Sequence, residues 1–200
     1  MGELRESKKR EMRERISDVA TALFFERGFD AVTVDEIAAA ARVSKVTVFN
    51  YFPHKEDLHL DRNEDVQLLL RRSVATRPEG QSPIAALHRL AHELSASKHP
   101  FARIDRQTAG WWRVVAASPS LKARARELGD EAVEALAQEL SGPTPTGPAR
   151  LLAGMVVLTW RTAYAEAFRV FERGGSAKKA SAAFLALIDR GFAALAAMED

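Results

Sequence analysis

Four side chains within one short stretch can form polar contacts outward from a helix. They are Lys45, Thr47, Asn50 and Tyr51, in Ser-Lys-Val-Thr-Val-Phe-Asn-Tyr-Phe-Pro over residues 44 to 53. At about 100° per residue, Val46, Thr47, Asn50 and Tyr51 share one sector of such a helix, while Val48, Phe49 and Phe52 share the opposite one. The apolar sector suits packing. The other carries groups that match DNA: the Asn50 amide fits the N6/N7 edge of adenine, Thr47 offers a hydroxyl to a base edge, and Val46 can meet a thymine methyl. Lys45, in the first turn, reaches a phosphate or a guanine edge, and the Tyr51 hydroxyl can bond a phosphate, as can Lys55 and the amides near Thr33.

Other chemistry finds less support. His88 and His92 stand four apart, the spacing of a helical zinc pair, but position 89 is Arg where H-E-x-x-H needs Glu, and no third ligand stands out. No metal site and no cofactor is therefore expected. The chain lacks G-x-S-x-G, a P-loop and G-x-G-x-x-G, and its zero cysteines exclude a thiolate nucleophile, an iron–sulfur cluster and a disulfide scaffold. An enzyme is not expected.

The elements that must position the outward groups are all helical. Apolar residues recur at helical spacing nearly throughout and strictly alternating β-branched runs are absent, which predicts an all-α protein of about nine helices. The first should span about residues 7 to 27, with Ile16, Ala20, Leu23 and Phe24 on one face and Gly28 ending it. Thr33-Val34-Asp35-Glu36 is a capping box that opens a short second helix. Ser44 caps the third, from Lys45 to about Phe52, and Pro53 stops it. A fourth helix is expected from about residue 55 to 75, with Leu58, Leu69 and Val74 inward and Leu68 and Leu70 widening the stripe. Five more are expected, over about 83 to 98, 100 to 117, 119 to 141, 148 to 173 and 176 to 198.

Composition bounds the class. With 200 residues and 46% hydrophobic content a sizeable core can form, and 29 Lys+Arg against 27 Asp+Glu leave a net charge of only +2. A basic surface must therefore come from placement. The longest uncharged apolar stretch, residues 151 to 160, falls short of the roughly 20 residues needed to span a bilayer. The first fifteen residues mix Arg5, Lys8, Lys9, Arg10, Arg13 and Arg15 with four Glu and lead into no apolar segment. They predict no secretion signal, and read either as a solvated tail or as a clamp on DNA phosphates. A cytoplasmic protein without membrane association is expected.

Residues 33 to 58, Thr-Val-Asp-Glu-Ile-Ala-Ala-Ala-Ala-Arg-Val-Ser-Lys-Val-Thr-Val-Phe-Asn-Tyr-Phe-Pro-His-Lys-Glu-Asp-Leu, resemble the DNA-binding domain of the TetR family of bacterial transcriptional regulators. The resemblance extends back through Ala20, Leu23, Phe24, Gly28 and Phe29. It implies a helix-turn-helix domain over residues 1 to 54 and a helical ligand-binding and dimerisation domain over 55 to 200. It further implies a homodimer that binds a palindromic double-stranded DNA operator, most often as a repressor, until a small molecule releases it. The recognition-region wording resembles regulators that respond to acyl-CoA-like or other lipophilic effectors.

Under that resemblance the DNA-facing set is Thr33, Arg42, Ser44, Lys45, Val46, Thr47, Asn50, Tyr51 and Lys55. Arg42 stands where the family usually has Gly, and His54 where it commonly has Ser or Asn. In the C-terminal region, Phe101, Trp111, Trp112, Met155 and Trp160 are large apolar candidates for a ligand pocket, and His88, His92, Arg113 and Tyr164 are candidate polar partners. Phe168, Phe171, Leu185, Ile188, Phe192 and Leu195 form stripes on the last two helices that can serve a dimer interface or the chain's own core.

Overall fold

A computed structural model describes residues 2–198, with side chains from residue 5 onward. Among these residues there are nine α-helices and no strand: α1 (Gly2–Arg27), α2 (Val34–Ala41), α3 (Lys45–Tyr51), α4 (Asn63–Ala75), α5 (Pro83–Ala96), α6 (Arg106–Ala117), α7 (Pro119–Ser141), α8 (Gly147–Glu172) and α9 (Ala177–Ala196). The expected all-α class holds, and most of the expected helix limits agree to within a few residues. By its internal contacts the chain forms two compact units, residues 1–62 with 110–125, and residues 63–109 with 126–200. A cut after His54 therefore falls inside the first unit.

Two helices start later than their periodicity suggests. In place of a helix from residue 55, Lys55–Leu58 forms a 3-10 turn, closed by bonds from the Asp57 amide to the His54 carbonyl and from the His59 amide to the Glu56 carbonyl, both 3.1 Å. That tightening turns Leu58, His59 and Leu60 inward, and α4 begins only at Asn63. Leu70 and Val74 are then its buried residues, while Leu68, expected to widen the stripe, is exposed. Likewise Pro100–Ala102 is a 3-10 turn, and α6 begins at Arg106 because the Asp105 carboxylate accepts from the amides of Gln107 and Thr108, each at 3.0 Å, as a helix cap.

In the first unit, Ile16, Ala20 and Phe24 of α1 face Ile37 and Ala41 of α2 and Val48 and Phe52 around α3, all buried. Gly28, at φ 81°, ends α1 in the left-handed region. In the second unit α9 packs against both α8 and α5. Small residues of α8, among them Ala153, Ala163 and Ala167, let it lie close to α9. A Cβ built on Gly191 of α9 would collide with the Thr159 side chain of α8, so no larger residue fits there without displacing that side chain. Ile188, Phe192 and Leu195, expected as interface candidates, are each at most 2% exposed in a single chain. They form core, because the α9 stripe already meets α5 and α8. The large apolar residues of α8 that stay exposed are Leu151 and Leu158, seven apart on one face.

Candidate nucleic-acid interface

The α2–turn–α3 segment is fixed at each end by local chemistry. At its start the Thr33 hydroxyl accepts from the Glu36 amide at 3.3 Å while the Glu36 carboxylate accepts from the Thr33 amide at 2.8 Å, as the capping box predicts. Arg27 at the end of α1 adds an ion pair to Glu36 at 2.7 Å. Those contacts hold the Glu36 carboxyl down at about 2, the Thr33 amide first and Arg27 next.

Between the helices, Arg42 adopts φ 56°, ψ 47°. Its amide donates to the Ala39 carbonyl at 3.1 Å and the Val43 amide to the Ala38 carbonyl at 2.9 Å, which together close α2 in a Schellman motif. The left-handed geometry usual for Gly is thus retained by an arginine, at about 1–2 kcal/mol of backbone strain. Two residues on, Ser44 caps α3: its hydroxyl accepts from the Thr47 amide at 3.0 Å and lies 2.8 Å from the Thr47 hydroxyl. Such a cap contributes about 1 kcal/mol.

The far end of α3 is held by a residue that sequence spacing assigned elsewhere. Arg13, grouped with the basic N-terminal arm, lies within α1, and its guanidinium stacks 4.4 Å from the Phe52 ring centroid. It donates to the carbonyls of Tyr51 at 2.9 Å and Asp61 at 3.1 Å. The Tyr51 carbonyl is one of those a helix end leaves without an internal partner, so Arg13 fixes where α3 points. One turn along α1, the Ser17 hydroxyl donates to the Asp61 carboxylate at 2.7 Å.

With both ends set, Val48 and Phe52 turn inward. Lys45, Val46 and Asn50 are exposed, Val46 to 69%, and Thr47 and Tyr51 are half-buried. Phe49, expected to pack, is 42% exposed. Its direction lies about 100° from both Val48 and Asn50, so on so short a helix it falls on the boundary between faces. Lys45 forms an ion pair with Asp35 of α2 at 2.8 Å, which ties the two helices together across the turn. Lys55, expected at a phosphate, instead donates to the Phe29 carbonyl at 2.7 Å with its ammonium 4.2 Å from the Phe29 ring centroid. Burial pulls this amine below the usual lysine range. It braces the turn after α1, and Thr33 and Ser44 likewise have their hydroxyls engaged in caps.

Residues 110–125 bind to the same unit through three contacts that spacing does not reveal. Trp111 Nε1 donates to the His59 carbonyl at 3.0 Å, the Ser118 hydroxyl to the Asp30 carboxylate at 2.9 Å, and Arg124 Nε to the Asp57 carboxylate at 2.8 Å. Trp111 thus belongs to the unit of α1–α3, together with Trp112 and Arg113. The other six pocket candidates are in the second unit. There Trp160 Nε1 donates to the Phe101 carbonyl at 3.3 Å, and the Tyr164 hydroxyl to the carbonyls of Pro100 at 3.1 Å and Arg103 at 3.0 Å, which gathers Phe101, Trp160 and Tyr164. Met155 is half-buried on α8, and His88 and His92 both face Asp189 of α9.

Residues 16–61 match the bacterial regulatory proteins of the tetR family. That segment is similar to the tetR-family regulators, and the rest of the chain lies outside the match. The match begins at the first buried residue of α1 and ends at Asp61, so it coincides with the helices just described. Similar proteins include the HTH-type transcriptional regulator TcmR of Streptomyces glaucescens, 31% identical over 84 residues, which are 42% of this chain and 37% of that protein. The biofilm operon icaADBC HTH-type negative transcriptional regulator IcaR of Staphylococcus epidermidis is 31% identical over 48 residues, 24% of this chain and 26% of that protein. The similarity thus spans well under half the length of these curated relatives. Over nearly the whole chain the fold is shared with NalD, the secondary repressor of the MexAB-OprM multidrug efflux pump in Pseudomonas aeruginosa. That structure has a TM-score of 0.58 at 18% identity, covering 91% of this chain and 97% of that one. No described helix is long and apolar enough to cross a membrane.

Proposed function

We propose that this protein is a cytoplasmic, ligand-responsive transcriptional repressor that binds a palindromic operator as a homodimer and is released by a small lipophilic effector. The observation that carries the reading is α3: capped at one end by Ser44, held at the other by Arg13, and presenting Lys45, Val46 and Asn50 to solvent. This is the geometry in which a recognition helix enters the major groove with its N-terminal residues at base edges. The repressor sense follows IcaR and NalD, both described as negative regulators or repressors.

Within this reading Asn50 and Val46 read bases, and Arg42, Lys45 and the amide end of α2 near Thr33 meet phosphates. Thr47 and Tyr51 flank them. Dimerisation would use the exposed Leu151 and Leu158 of α8, with Phe168, Phe171 and Leu185 at the margins. An effector of lipophilic character would find its apolar surface around Phe101, Met155 and Trp160 and its polar contact at Tyr164. Footprinting on DNA flanking the protein's own gene tests the reading. The expected result is protection of two inverted half-sites about one helical turn apart, lost on addition of the effector. Protection of unrelated DNA with equal affinity would exclude it.

A further inference from the structure

His88 and His92 lie one turn apart on α5, and Asp189 lies on α9, 101 and 97 residues away in sequence. Asp189 Oδ1 is 2.7 Å from Nε2 of both histidines. The potential ligand atoms of the three residues all lie within 4.8 Å of one another. The missing third ligand of the helical histidine pair is therefore supplied by a different helix. We propose that His88, His92 and Asp189 bind one divalent transition-metal ion, of the Zn2+, Co2+ or Ni2+ class, which clips α5 to α9.

The donor set argues for that class. Two imidazoles and one carboxylate suit borderline transition ions, whereas Mg2+ and Ca2+ prefer all-oxygen shells and Cu(I) prefers sulfur. Two imidazoles with one carboxylate also make a three-ligand set that leaves a fourth position open. With metal–ligand bonds of about 2.0–2.1 Å, a tetrahedral ion holds its donors about 3.3 Å apart, so Asp189 needs to retreat from each Nε2 by roughly 0.6 Å. The three side chains are between 37% and 51% exposed, which leaves them room to do so.

The surroundings favour a fixed site. The His88 ring stacks on Phe192, with centroids 5.3 Å apart and planes within 16°, and meets the His92 ring edge-on at 4.9 Å. Phe192 is buried, so one histidine is oriented by the core. His88 and Asp189 also border a cavity of about 190 Å³ lined by Ser82, Ile84 and Phe192, where a water or small anion can complete the coordination. The proposal needs nothing from the DNA-binding reading, since every group in it belongs to the second unit.

The test uses untagged full-length protein, freed of metal with a chelator and dialysed. Zn2+ is titrated by calorimetry and Co2+ by visible absorption, with thermal melts alongside. One ion per chain, visible cobalt bands and a melting temperature raised by Zn2+ are expected. Asp189→Asn keeps an oxygen acceptor for both histidine N–H groups while removing the carboxylate, so the hydrogen-bonded clip survives without the metal site. It should weaken Zn2+ more than about tenfold at unchanged helical content. His92→Gln is the second variant should Asp189→Asn misfold, with the same expected loss. No saturable Zn2+ or Co2+ binding up to about 1 mM would overturn the proposal. So would undiminished affinity in the folded variants, or an equal rise in melting temperature with Mg2+.

Discussion

The rings of His59 and Trp111 lie stacked, with centroids 4.6 Å apart and planes within 10°, while Trp111 Nε1 donates to the His59 carbonyl at 3.0 Å. His59 Nε2 lies 3.2 Å from the Trp111 carbonyl. A carbonyl can only accept, so the ring carries its proton on Nε2. Two residues 52 positions apart thus hold each other by backbone and ring at once. This contact fastens α6 to the turn that follows α3.

Burial holds the His59 imidazole down at about 4, against 6.5 in an unfolded chain. A group whose folded value is depressed stabilises the fold fully above its unfolded value and loses that contribution as pH falls toward the folded one. The loss between pH 6.5 and 4 is on the order of 3 kcal/mol. His59→Phe keeps a flat ring on Trp111 and removes the titration. Urea unfolding across this range should show a shallower acid slope for the variant, and equal slopes would remove His59 from the acid response.

Arg42 carries a left-handed backbone that glycine adopts without strain. Arg42→Gly relieves about 1–2 kcal/mol but adds freedom to the unfolded chain, leaving a net gain of about 0.5–1 kcal/mol. Denaturant midpoints should rise. If Arg42 also meets a phosphate, the same variant binds DNA with a smaller salt dependence, and a lower midpoint would mean the side chain contributes more than its strain costs.

Arg13→Met preserves the stem and deletes the donors to the Tyr51 and Asp61 carbonyls. A loss of about 2 kcal/mol in stability is expected for these charge-assisted bonds. Operator affinity should fall without any change in which base pairs are preferred, because Arg13 orients α3 and reads nothing. Altered preference in a binding selection would instead place Arg13 on the DNA.

Lys45 is paired with Asp35 in the free protein. Transfer of its ammonium to a phosphate releases about one counterion, so Lys45→Met should reduce the slope of log affinity against log salt by about 0.9. Gel-shift titrations over a salt series measure this. An unchanged slope would leave Lys45 paired with Asp35 in the complex.

What the sequence made legible was local. The Thr33–Glu36 box, the Ser44 cap and the Gly28 stop each depend on residues within four positions, and each appears as expected. The inward turn of Val48 and Phe52 followed from helical period alone. Long-range choices were not legible. Arg13 and Lys55 looked like free cations because nothing in spacing tells that Tyr51 and Phe29 carbonyls lie beside them. Trp111 looked like a pocket wall because its partner His59 carries no signal of its own. Asp189 stood unnoticed for the same reason, since a ligand about a hundred residues away becomes visible only when α9 is laid on α5.

Asn50 is exposed on α3, where a direct contact to base edges makes sequence preference depend on its amide. Selection of bound duplexes from a random pool by the wild type and by Asn50→Ala tests it most directly. Paired inverted half-sites are expected for the wild type, with relaxed preference at one or two positions for the variant and a cost of about 1–3 kcal/mol at those positions. An unselective pool, or a loss from Asn50→Ala that is equal on every sequence, would contradict it.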